Sequence, residues 1–209
     1  MVSTVTDWID VPYTEAEIGD NYYGMTGKVG MAIRAALDQV AHTINWSEFD
    51  ADNDGEIDAI AIIHSGFGAE AAEPDCYSGL APEGRIWSHK WNLDQDWTAP
   101  GTGTLVWKYH ISPALWGSCG SNIGRIGVIC HETGHFLGCP DIYDGTGGNG
   151  TYKKRHTYLI IVVWHVWRYV WYHNYHHFLH VALQLTLSFS SPTNRIIAPP
   201  RRRFLGNDG

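Results

Sequence analysis

His131-Glu132-Thr133-Gly134-His135-Phe136-Leu137-Gly138-Cys139-Pro140-Asp141 reads as a metal site with its general base already inside it. Residues four apart on a helix differ by about 40° in direction and about 6 Å in height, so His131 and His135 can point their imidazoles at one ion. Glu132 sits beside them without being a ligand. Zinc makes water acidic enough, with a pKa of about 7, for a neighbouring carboxylate to take its proton as the water attacks a peptide carbonyl. The run therefore points to a zinc protease.

The residues after the second histidine make the signal more specific than a bare HExxH, which arises by chance on ordinary helices. Gly138 can adopt the left-handed conformation that stops a helix, and Pro140 keeps the helix from resuming. The turn brings Asp141 back as a third ligand and leaves a fourth position open for water or substrate. Upstream, apolar residues at 123, 126, 129 and 130 have the spacing of a helix face, with Ser121 as the expected N-cap.

With 209 residues the chain can bury one sizeable core. Its net charge of -8 is unevenly divided: residues 1–150 carry 21 acids and 6 bases, residues 151–209 carry 1 acid and 8 bases. An acidic catalytic portion argues against nucleic acid as a partner, because phosphate binding needs a basic surface. Cys76, Cys119, Cys130 and Cys139 fit no CxxC metal pattern and permit up to two disulfides. Cys139, beside the third ligand, reads as a buried spectator or a disulfide partner. The polar stretch 2–10 has neither the basic nor the apolar region of a signal peptide, so either the start is missing or export uses another route.

A second motif, Asp50-Ala51-Asp52-Asn53-Asp54-Gly55-Glu56-Ile57-Asp58, sets carboxylates at loop positions 1, 3, 5 and 9 with glycine at 6. Hard oxygens at that spacing suit calcium. Asp50, Asp52, Asp54 and Asp58 are the side-chain ligands expected, and Glu56 would contribute its backbone carbonyl. Position 12 is Ala61, where an EF-hand needs a bidentate glutamate, so the loop is of another kind. A helical pattern over 29–44 precedes it and a strand pattern over 57–64 follows it.

These motifs together resemble the M6 peptidases, the immune inhibitor A family of secreted zinc metalloendopeptidases, over about residues 4–149. The resemblance is carried by Asp7-Trp8-Ile9, Tyr13-Thr14-Glu15-Ala16, Phe49-Asp50 through Asp58, Ile62-Ile63-His64-Ser65-Gly66, Ile86-Trp87-Ser88-His89-Lys90-Trp91, and the zinc motif with Ile142-Tyr143-Asp144. It implies an α/β (α+β) fold with a metzincin-like catalytic domain, a twisted mixed sheet over an HExxH active-site helix. It also implies cleavage of protein substrates in an extracellular setting, with His131, His135 and Asp141 as zinc ligands and Glu132 as base. By the same analogy the strand expected over 103–111 lies above that helix and can pair with extended substrate. His64 and His89 lack metal spacing and read as structural hydrogen-bonding residues. Trp87, Trp91, Trp97, Trp107 and Trp116 read as core or cleft walls.

After Asn149-Gly150 the texture changes. Residues 151–209 hold half of the 12 histidines and the run Arg201-Arg202-Arg203. A metzincin continues past its third ligand to a methionine turn, whereas the methionines here are Met1, Met25 and Met31. Three readings of this segment compete. A frameshift or other gene-model artefact explains the loss of acids and the missing turn, and is favoured. A membrane anchor over 158–187 is disfavoured, because its longest apolar run, 158–164, falls far short of the roughly 18 residues a span needs. A histidine-rich extension would use His173, His176, His177 and His180. The expected organisation is thus an N-terminally incomplete peptidase domain over 1–150 and an atypical tail over 151–209. The alternative to an active endopeptidase is an inactive metal-binding fragment of one.

Overall fold

The structure is a computed structural model and describes residues 2–141 and 181–189. Its strands are β1 (Val2–Val11), β2 (Ile60–Phe67), β3 (His89–Thr98), β4 (Leu105–Leu115) and β5 (Val181–Phe189). The helices are α1 (Glu15–Gly19), α2 (Lys28–Val40) and α3 (Ile126–Phe136), so the chain has the mixed α and β character the sequence suggests. One five-stranded sheet runs β1-β5-β2-β4-β3. β1, β5, β2 and β4 are mutually parallel, and β3 lies antiparallel to β4 at one edge.

Sequence explains these places. β2, Ile-Ala-Ile-Ile-His-Ser-Gly-Phe, is buried along nearly its whole length, as a parallel strand covered on both faces must be. β3 buries His89, Leu93 and Trp97 and exposes Asp94, Gln95 and Asp96 between them, which suits an edge. β5 comes from the segment that composition sets apart, yet it pairs with β1 from Val2↔Val181 and with β2 from Ile60↔Leu183. The rest of that segment, including the apolar run 158–164 and His173, His176, His177 and His180, lies outside the described residues. Among the described residues no helix is long and apolar enough to cross a membrane.

The core sits between the sheet and α2. Val29, Ala32, Ile33, Ala36 and Leu37 recur at helical spacing on one buried face of α2. They belong to the same core as Trp46, Phe49, Ile60, Ile62, Trp97, Val106 and Ile111. Trp46 and Trp97 pack with ring centroids 4.8 Å apart, and their indoles donate to Ala41 O and Asp38 Oδ1. Of the five tryptophans read as core or cleft walls, Trp97 alone joins the core; Trp87, Trp91 and Trp116 are exposed.

Several element bounds differ from expectation, each for a nonlocal reason. The helix expected over 29–44 ends at Val40, because Trp46 from the next turn takes the Ala41 carbonyl that a longer helix would use. The strand expected from 57 begins at Ile60, since Ile57 and Asp58 donate instead to Leu105 O and Phe49 O. The strand expected over 103–111 runs from Leu105 to Leu115 and has β2 on one side and β3 on the other. It therefore has no free edge for substrate; the outer strands of the sheet are β1 and, beside β4, β3.

The helix carrying the metal motif starts at Ile126 with Arg125 at its N-cap, not at Ser121. Residues 122–124 instead lie along the end of β4: Ile123 bridges Leu115, Trp116 N–H donates to Asn122 O, and Gly124 N–H donates to Ala114 O at 2.6 Å. A Cβ on Gly124 would stand 2.4 Å from Pro113 O, so only glycine fits there. Gly124→Ala is expected to destabilise the fold by about 2 kcal/mol, a fall of about 4–8 °C in Tm for a chain of this size. Thermal melting of the variant checks this, and an unchanged Tm would contradict the close approach.

Candidate metal centre

α3 presents His131 and His135 one turn apart, with ring centroids 4.7 Å apart and planes nearly perpendicular. Its C-terminus closes by two backbone bonds, Cys139 N–H to Gly134 O and Gly138 N–H to His135 O, with Gly138 left-handed at φ 77°. This is the Schellman pattern, which reverses the chain at a glycine. The reversal puts Asp141 Oδ1 3.2 Å from His131 Nε2 and 3.5 Å from His135 Nε2. One donor atom from each of the three side chains lies within 4.8 Å of the others, so the residues the sequence singles out meet in space.

His135 is oriented from behind. His135 Nδ1–H donates to Cys139 O at 2.7 Å, which leaves its Nε2 lone pair facing the cluster. Thr133 fixes α3 against the sheet: its hydroxyl donates to Ile129 O and accepts from His110 Nε2 of β4, while the His110 and Phe136 rings meet edge to face. Glu132 is buried, with Oε1 3.8 Å from His131 Nε2. Its carboxyl is pushed up to about 8 by burial first, then by the nearby charges of Asp141 and Glu70, against a hydrogen bond from Lys90 N–H. That bond from the edge strand and the proximity of Glu70 carry no local sequence signal, because both depend on where β3 and residues 69–71 are folded.

Around the cluster, Cys76 and Cys119 form a disulfide that ties the loop before β3 to the loop before α3. Cys130 and Cys139 are free thiols. Cys139 is therefore not a disulfide partner; it packs beside Gly134. His64 and His89 do take structural places. His89 Nδ1–H donates to Trp87 O and its Nε2 accepts the Tyr109 hydroxyl at 3.0 Å, while His64 Nδ1 accepts Gly66 N–H.

In the second motif Asp50, Asp52 and Asp54 come within 4.8 Å of one another. Asn53 and Gly55 are left-handed, and the loop's amides turn inward: Asp50 accepts from Asp54 and Gly55 N–H, and Asp54 accepts from Glu56 N–H. Asp58 stands outside that group of three and accepts Ala51 N–H. Its carboxyl is raised by burial and then by the charges of Asp52, Asp50 and Asp54. The Glu56 side chain turns away to β4, accepting from the Trp107 indole at 2.6 Å and from Lys108 at 3.1 Å.

The chain matches the immune inhibitor A peptidase M6 catalytic domain over residues 1–161. It belongs to the M6 peptidase family. It is 32% identical over 170 residues to Immune inhibitor A of Bacillus thuringiensis subsp. alesti, covering 68% of this chain and 23% of that protein. It is 30% identical over 171 residues to the Pre-pro-metalloprotease PrtV of Vibrio cholerae serotype O1 (strain M66-2), covering 67% of this chain and 17% of that protein. The chain thus spans less than a quarter of the length of these curated relatives. No solved structure matches it.

The buried histidines of this M6 domain give it a pH signature. Burial holds His64 down at about 3 and His110 at about 4. Below about pH 6.5 the unfolded chain takes up protons that the folded one refuses, so their contribution to stability is full above that pH and falls as pH drops toward 3. Glu15, buried and raised to about 8, titrates in the opposite sense, so the informative quantity is a difference between variants. Tm is expected to fall more steeply between pH 6.5 and 4 in the wild type than in His64→Asn. Parallel Tm curves would contradict the assignment of His64 as a buried neutral group.

Proposed function

We propose that this chain is a zinc-dependent metalloendopeptidase that hydrolyses peptide bonds in proteins. His131, His135 and Asp141 hold the zinc, and Glu132 is the general base. The observation that carries this reading is the convergence of two imidazoles and a carboxylate within 4.8 Å beside a buried glutamate. The donor set fits: two nitrogens and one oxygen leave a fourth tetrahedral position open, and His135 has the backbone carbonyl partner that metal-ligating histidines take.

When bound, zinc polarises the substrate carbonyl and makes water a stronger acid. Glu132 accepts the proton of the attacking water on its carboxylate and passes it to the departing amine nitrogen, acting first as base and then as acid. Burial in the cleft keeps that carboxylate out of bulk water, and Lys90 N–H holds it against β3. β3 also has the outer edge of the sheet on the α3 side, where an extended peptide can add as a further strand. With the HExxH helix beneath that edge, the arrangement supports a metzincin-like reading of the fold.

The Asp50–Asp58 loop is read as a structural calcium site, with side chains from Asp50, Asp52, Asp54 and Asp58 and the Glu56 carbonyl as ligands. The inward-turned amides and the gathered carboxylates of Asp50, Asp52 and Asp54 support it. An extracellular setting is supported by family membership and by the Cys76–Cys119 disulfide, which persists in oxidising compartments.

The decisive experiment is cleavage of an unfolded protein by the full chain, with chelator, with zinc restored, and with Glu132→Gln alongside. Zinc-restored cleavage is expected to drop by about 10²–10⁴-fold in the variant while bound zinc stays stoichiometric. Cleavage retained by the variant would remove Glu132 from its role. Stoichiometric zinc with no cleavage by the wild type would make the chain an inactive metal-binding fragment. For the loop, saturating calcium is expected to stabilise the wild type by about 3 kcal/mol, or about 6–12 °C in Tm, and to leave Asp52→Asn nearly unmoved. Equal Tm with calcium and with chelator would remove the calcium assignment.

A further inference from the structure

Residues 1–150 contain six basic side chains among many acids, and most of the six are committed within the fold. Lys28 pairs with Asp20, Arg34 with Asp94 and Lys108 with Glu56. Arg85 is fully buried and donates to Glu73 O. Arg125 lies 4.3 Å over the Trp116 ring at the start of α3. Lys90, like Arg85 and Arg125, forms no salt bridge among the described residues, but it alone of the three stands beside the metal cluster: its Nζ lies 5.5 Å from the centroid of the Phe136 ring, next to His135 in sequence.

Lys90 is also at the cleft by its backbone, since its N–H donates to the Glu132 carboxylate. Its cross-strand partner His110 contacts Thr133 and Phe136, so the Lys90 side chain stands on the α3 face of the edge strand. Burial, and then the charge of Lys108, hold its ammonium below the usual lysine range. A peptide laid along β3 would pass this ammonium as it reaches Glu132.

We propose that the Lys90 side chain is a specificity-determining group of the cleft, selecting peptides that carry an aspartate or glutamate beside the bond to be cut. The proposal rests on the peptidase reading. A carboxylate there would complete the ion pair that the fold leaves open. The attraction is electrostatic, so it weakens with salt.

The test measures binding rather than turnover. The zinc-loaded full chain carrying Glu132→Gln, which leaves peptides intact, is titrated with labelled ten-residue peptides that differ by Asp, Asn or Lys at one scanned position. At one position Asp should bind about three- to tenfold tighter than Asn, within reach of a partly exposed ion pair. Adding Lys90→Gln should abolish that advantage, and adding Lys90→Glu should turn it into a preference for Lys. Equal binding of Asp and Asn at every position, an Asp preference that survives Lys90→Gln, or no binding of any peptide would each overturn the proposal. Failure of the peptidase reading shows separately, as a zinc-loaded wild-type chain that leaves unfolded protein uncut.

Discussion

The left-handed turn at Gly138 is the constraint on which the metal centre depends. A helix can supply His131 and His135 by spacing alone, but a third donor on the same helix would point away from them. Reversal of the chain after α3, sealed by the bonds of Cys139 and Gly138 to Gly134 and His135, returns Asp141 to within hydrogen-bond range of both imidazoles. The carbonyl of Cys139, delivered by the same turn, orients His135. One backbone conformation thus sets the position of Asp141 and the orientation of His135, and a side chain at 138 would strain both.

Electrostatics makes this arrangement purposeful rather than merely compact. Burial first, and then the like charges of Asp141 and Glu70, raise the Glu132 carboxyl to about 8. A divalent cation held by the two histidines and Asp141 would offset that repulsion and return Glu132 toward its ionised form, the form a general base needs. Carboxylates also gather in the Asp50–Asp58 loop, where Asp58 is held above its ordinary range by burial and then by the charges of Asp52, Asp50 and Asp54. Glu56 links that loop to β4 through Trp107 and Lys108, and β4 in turn abuts α3 through His110.

What was legible in the sequence was what local spacing dictates. HExxH on a helix, glycine at its end, the carboxylate loop and the buried face of α2 all follow from contacts within a few residues, and the structure brings His131, His135 and Asp141 together as that spacing requires. What escaped depends on partners distant in sequence. α3 begins at Ile126 because residues 122–124 pair with the end of β4. The strand over 105–115 has no open edge because β2 and β3 flank it. The Cys76–Cys119 pairing and the contact of Lys90 N–H with Glu132 likewise require the sheet to be assembled first.

X-ray absorption at the zinc edge, recorded on the zinc-loaded full chain, tests the centre most directly. The account predicts a four-coordinate ion whose nearest shell holds two imidazole nitrogens and oxygen donors at about 2.0–2.1 Å, with the oxygen contribution altered in Asp141→Asn. A sulfur scatterer at about 2.3 Å would contradict it, because it would place the neighbouring Cys139 thiolate, and not Asp141, on the metal.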